Sequence, residues 1–148
     1  MRAVVRFTCA LAIAGSVLVL ARTAIAAAIL ARGDDAARAG RLADAASYYD
    51  RARTVGGDTF EELERYALLA LLSPSGRVPA AAMRSANGFL RTNAGSGPGY
   101  FDRGLIEWRA GSFDASARDF RLAWKLGGDP RAATFARSAG RRARRIHR

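Results

Sequence analysis

The sequence predicts an all-α fold, about three helix pairs in a row with a capping helix behind them, on three observations. A segment occurs twice, as RAGRLADAASYYDRARTVGGD at 38–58 and RAGSFDASARDFRLAWKLGGD at 109–129. Within each copy apolar residues recur at spacings of three and four, the period of one helix face. Between the copies lie two more segments of that period, parted by Ser, Pro and Gly.

The first element is apolar. Arg2 and Arg6 precede an uncharged run from Phe7 to Ala21, followed by Arg22 and small residues. A cleaved export signal has such a basic start, apolar core and A-x-A site, here Ala24-Ile25-Ala26, which would begin the mature chain at Ala27. A retained anchor would use Val4 to Ala21 with Arg6 reaching to the interface. It could also use Phe7 to Leu30, with Arg22 inside at a cost of about 2.5–3.5 kcal/mol. Both readings put the rest of the chain outside the cytoplasm, secreted or held at the inner membrane. Arginines flank the run on both sides, so charge leaves its orientation open. A third reading, the buried first helix of a soluble domain, asks for burial on every side. Cys9 follows Arg6-Phe7-Thr8, which is not the aliphatic-small pattern ahead of a lipidated cysteine.

The first pair follows. Ala26 to Ala39 carries Ile29, Leu30, Gly33 and Ala37, then a turn at Gly40, then Leu42, Ala45, Tyr49, Ala52 and Val55 on one face. Gly56-Gly57 stops that helix, because glycine accepts the left-handed cap. In the middle pair Phe60 to Leu72 starts from Asp58 or Thr59 as N-cap, with Glu61 and Glu62 in its first turn. Ser73-Pro74-Ser75-Gly76 ends it, and Ala80 to Thr92 aligns Met83, Ala86, Phe89 and Leu90. Asn93 to Gly99 reads as a linker. The third pair is Tyr100 to Ala110, a turn at Gly111, then Phe113, Ala117, Phe120, Ala123, Trp124 and Leu126 on one face, stopped by Gly127-Gly128. Arg131 to Ile146 is a final solvating helix, such as a repeat array needs.

Gly104, Gly111, Phe113, Ser116, Phe120 and Ala123 in one unit, and Gly33, Gly40, Leu42, Ala45, Tyr49 and Ala52 in the other, resemble the signature of the tetratricopeptide repeat (TPR). Gly57 and Gly128 stand where that family usually has Pro, and Glu107 departs from its first-helix aromatic. Gly40 and Gly111 are 71 residues apart, two units of about 34 residues plus three. The three extra residues are expected in the Ser73-Pro74-Ser75-Gly76 turn. The resemblance covers roughly 26–145 and implies an α-solenoid, with units 26–59, 60–96 and 97–130 between a 1–25 signal or anchor and a 131–148 basic helix and tail.

Composition excludes several kinds of chemistry. The only cysteine is Cys9 and the only histidine His147, so no His-based triad, Cys–His pair or cysteine metal cluster can be built. No catalytic residue, metal, cofactor or small-molecule substrate is expected. Net charge is +11, but all 13 acids lie between Asp34 and Asp129, where 13 basic residues balance them. The excess sits at the two ends, which argues against a uniformly cationic nucleic-acid-binding face.

The resemblance implies a concave face lined by the first helix of each pair. Its candidates are Glu61, Glu64, Arg65, Leu68, Phe101, Asp102, Leu105, Trp108 and Arg109, with Leu30, Asp34 and Ala37 on the first unit. Such a groove receives a segment of another protein. Some TPR domains hold a peptide carboxylate with Lys and Asn; Leu30 and Asp34 stand there instead, against a clamp of that kind. Trp108 fits groove or core, and Trp124, facing the cap, is expected in the core. The expected role is a non-catalytic TPR scaffold in the bacterial cell envelope, on the membrane through its N-terminal segment if that is uncleaved. The alternative is a binder of lipid head groups or nucleic acid through Arg141, Arg142, Arg144, Arg145 and Arg148. No aromatic interleaves the tail to stack on bases.

Overall fold

The computed structural model describes residues 2–73 and 78–146, with side chains from residue 14 onward. The turn at 74–77, His147 and Arg148, and the side chains of Arg2, Arg6 and Cys9 lie outside the described residues. Helices follow one another as α1 (Arg2–Arg38), α2 (Leu42–Gly56), α3 (Phe60–Leu72), α4 (Ala80–Thr92), α5 (Gly97–Arg109), α6 (Phe113–Gly127) and α7 (Pro130–Ile146), and no strand occurs among the described residues.

The repeated sequence gives a repeated turn. At Gly40 the φ is +74° and at Gly111 it is +80°. In each turn the residue after Gly donates its N–H five residues back, Arg41 to Ala36 O and Ser112 to Glu107 O, both 2.9 Å. Gly40 and Gly111 themselves donate three residues back. That is the Schellman pattern, which needs a left-handed residue between the helices. A Cβ at Gly111 would touch nothing, so its cost is purely one of backbone. Gly111→Ala is therefore expected to lower stability by roughly 1–2 kcal/mol. Urea unfolding should show a lower midpoint at unchanged slope.

Gly33 and Gly104 serve another purpose. A Cβ on Gly33 would run into the Tyr49 ring, and one on Gly104 would lie 2.9 Å from the Phe120 ring. Each aromatic of the second helix lies on a bare stretch of the first, drawing the pair together. Ser116 Oγ, fully buried, donates to Gly104 O at 2.8 Å beside that contact.

α3 starts as expected, with Thr59 Oγ1 accepting from Glu62 N at 3.2 Å. α5 begins earlier than the expected Tyr100. Ser96 Oγ accepts from Gly99 N at 3.0 Å, and Pro98 lies in the first turn, where its missing N–H costs nothing. The glycines here are close contacts: a Cβ at Gly97 would sit 2.8 Å from Gly127 N. The α3–α4 connection spans 73–79, against 39–41 and 110–112 in the other pairs.

Core residues line the seams between helices: Leu30, Tyr49, Leu63, Tyr66, Phe89, Leu90, Ile106 and Phe120. Tyr49 and Tyr66 meet edge to face at 5.6 Å, joining the first two pairs. α5 packs on α3 and α4, and α7 on α6. Trp124 corrects the expectation placed on it, being 54% exposed, and Leu126 is exposed beside it. α6 buries Ser116, Ala117, Asp119, Phe120 and Ala123, and Trp124 flanks the open side of α7, where no further helix among the described residues covers it.

α1 is one 37-residue helix, about 55 Å long at 1.5 Å per residue. It does not break at Ala26. Its C-terminal half is the first helix of the first pair. Val17, Leu18, Val19 and Leu20 are 59–68% exposed, and the helix is long and apolar enough to cross a membrane. Among the described side chains, contact with the array starts at Arg22, whose Nε donates to Val55 O at 3.0 Å, and at Ala26, buried against Gly56.

Candidate interaction trough

Helices α1, α3 and α5 form one face of the array. Between α1 and α3 a hollow of about 530 Å³ is lined by Asp34, Ala37, Tyr49, Glu64, Arg65, Leu68 and Leu72, among others. Between α3 and α5 a second, of about 270 Å³, is lined by Phe60, Glu64, Phe101 and Asp102, with Asp129 and Arg131 at the head of α7. Glu64 lines both, so the two hollows adjoin along one trough. Apolar periodicity turns Leu63, Tyr66, Ala67 and Ala70 of α3 inward and leaves Leu68 and Leu72 outward, 55% and 51% exposed.

The charges in the trough are unequally engaged. Arg65 Nε reaches Asp34 at 2.9 and 3.1 Å, and Tyr49 Oη donates to Asp34 at 2.9 Å, so both oxygens of that acid are engaged. Burial and this hydrogen bond push the Tyr49 phenol upward. Asp102 is 8% exposed, and its Oδ2 has no hydrogen-bond partner. Burial first, and Glu64 second, push its carboxyl up to about 7.

The sequence-predicted residues divide into groups. Glu64, Arg65, Leu68, Phe101 and Asp102 face the trough together. Glu61 is exposed at the start of α3 and lines a separate hollow against α1 and α2. Leu105 and Leu30 are buried in the core. Trp108 is half-buried, edge-on to Phe113 at 5.5 Å and to Phe135 at 6.1 Å, with the Arg142 guanidinium 4.8 Å above its ring. Arg109 ties α5 to the end of α3, donating to Ala70 O at 3.0 Å and to Ser73 O. Leu72, Tyr49 and Phe60 also line the trough, although the first-helix pattern does not mark them for it. Leu72 is one turn beyond Leu68, which was a usable signal.

The basic end is also divided. Arg142 lies over Trp108 and Phe113. Arg141 and Arg144 rim an outer hollow of about 530 Å³ between α6 and α7, with Arg121, Arg137 and Trp124. Arg145 is exposed, and Arg148 lies outside the described residues.

No family model and no curated protein matches the sequence. Solved structures do. The Sgt2 TPR domain from Aspergillus fumigatus superposes with a TM-score of 0.65 at 11% identity, over 82% of this chain and 81% of that one. The first TPR domain of Spaghetti (RPAP3), bound to the HSP90 peptide SRMEEVD, gives 0.62 at 14% identity, over 78% and 90%. At such identities the likeness is one of fold. It agrees with the duplicated turn, the glycine–aromatic contacts and the helix order, and by these the chain has a TPR-like fold, an α-solenoid of helix pairs.

Proposed function

We propose that this chain is a non-catalytic scaffold of the bacterial cell envelope, held at a membrane by its N-terminal segment and binding a segment of another protein in the trough. The carrying observation is the trough itself, two adjoining hollows with exposed Leu68 and Leu72 beside unevenly paired charge. The RPAP3 domain, of like fold, is bound to a peptide. The exposed Val17, Leu18, Val19 and Leu20 of α1 support membrane attachment, and the neutral middle of the chain supports a protein partner rather than nucleic acid. Asp34, spent on Arg65 and Tyr49, offers nothing to a terminal carboxylate.

Trp108 is a poor test site, because it is half-buried edge-on to Phe113 and Phe135. A photo-crosslinking residue in place of Leu68, in cells, is expected to capture a discrete protein. The same residue in place of exposed Arg51 on α2 should not capture it. Equal capture at both positions would refute the trough as the binding face. A second reading, capture of anionic groups, is favoured by Arg121, Arg137, Arg141 and Arg144 around Trp124. It gains only if Arg141→Ala with Arg144→Ala abolishes flotation with phosphatidylglycerol vesicles while the same change leaves Leu68 capture intact.

A further inference from the structure

The α3–α5 end of the trough combines aromatic walls with a carboxyl group of which one oxygen has no hydrogen-bond partner. Phe60 and Phe101 flank it, and Glu64 and Asp102 supply acid. Asp102 is more than nine-tenths buried, with Oδ2 unpaired. The other charges at this hollow do not neutralise it. Arg131 is held by Asp129 at 2.7 Å and sits over the Phe101 ring at 5.6 Å. α6 contributes only Ala123 and Gly127, and α4 nothing.

We propose that this hollow is a subsite for one lysine or arginine side chain of the bound partner, its stem between Phe60 and Phe101 and its cationic head between Glu64 and Asp102. The inference rests on the scaffold reading and adds the chemistry of the partner. A buried carboxylate without a partner is costly, and an incoming cation removes that cost. Aromatic faces add attraction for the same cation. A free acidic group would meet repulsion here, which makes the site selective by sign. Because Asp102 titrates near 7 when the site is empty, binding a cation releases a proton. Affinity then rises with pH up to about 7 and levels off above it.

The test uses the full chain in detergent micelles and a phage-displayed library of random heptapeptides. Selected peptides are expected to carry Lys or Arg at one fixed position. Changing that residue to Gln should weaken binding about tenfold or more, and Glu64→Gln with Asp102→Asn should erase the distinction between the two peptides. Raising the pH from about 6 to about 7 should tighten the Lys peptide by up to about tenfold, and Asp102→Asn should flatten that profile. Both amide substitutions remove charge without changing shape, and circular dichroism checks that the variant is folded. Peptides that bind without preferring Lys or Arg, or whose preference survives the double substitution, overturn the inference and leave the scaffold reading standing. Failure to select any peptide, with no capture at Leu68, overturns both.

Discussion

Phe120→Ala is expected to lower stability by about 3–5 kcal/mol, a large part of what a domain this size holds. The ring is fully buried. It meets Phe101 edge to face at 5.4 Å and Phe135 at 5.1 Å, and lies over Gly104. One side chain therefore joins α5, α6 and α7. In a repeat array each unit touches only its neighbours, so the loss should be local. Both tryptophans, Trp108 and Trp124, are in that region. Under urea, tryptophan fluorescence should change before the far-ultraviolet helix signal; coincident transitions would show that the array melts as one unit. Gly104→Ala supplies a cross-check. It should destabilise the native chain, because its Cβ meets the ring, and cost far less where Phe120 is already alanine.

Glu62→Gln is expected to stabilise the protein at alkaline pH and do little near pH ~5. Glu62 is 1% exposed, and neither carboxyl oxygen makes a hydrogen bond of ordinary geometry. Burial pushes its carboxyl up to about 8; Ser85 and Arg53 oppose that rise, and Asp58 and Asp50 add to it. The folded state thus keeps a proton that the unfolded chain releases near 4.5. The stability this contributes is fully present below that value and is lost as pH rises through about 8. Asp102 and Glu107, each raised to about 7 mainly by burial, act in the same direction. The full effect of Glu62 is on the order of a few kcal/mol, because a tenfold change in proton affinity between the folded and unfolded chain is worth about 1.4 kcal/mol. Thermal melts of wild type and variant should coincide near pH ~5 and separate by pH ~9. A gap independent of pH would mean that Glu62 acts through packing and not charge.

Sequence reading was accurate where cause was local. Gly40 and Gly111 sit at the turns because only a left-handed residue closes that hydrogen-bond pattern. The spacing of Leu63, Tyr66, Ala67 and Ala70 marks the inner face of α3 because a helix has one period. The start of α5 was missed for a local reason too. Gly97-Pro98-Gly99 reads as a breaker, and it is helical because Ser96 caps it and α6 lies against its bare backbone.

The site was less legible. Arg65, Arg103 and Arg109 have the same side chain on equivalent kinds of helix. Arg65 pairs with Asp34 of α1, Arg103 with Asp119 of α6, and Arg109 with the closing carbonyls of α3. Nothing within a helix's own sequence says which partner the next helix presents. Trp124 shows the same dependence: its position on α6 looked inward, and it is exposed because no further helix among the described residues covers α7 from beyond.

By itself, then, the sequence determined an all-helical chain of glycine-turned pairs with an apolar leading segment, since turn chemistry and apolar period act within a few residues. Only the tertiary structure decided that Glu64 and Asp102 share one hollow, that Arg142 covers Trp108, and that Glu62 is sealed from water. Those are distances and burials created by residues far along the chain, and they alone set which charges are paired and which are not.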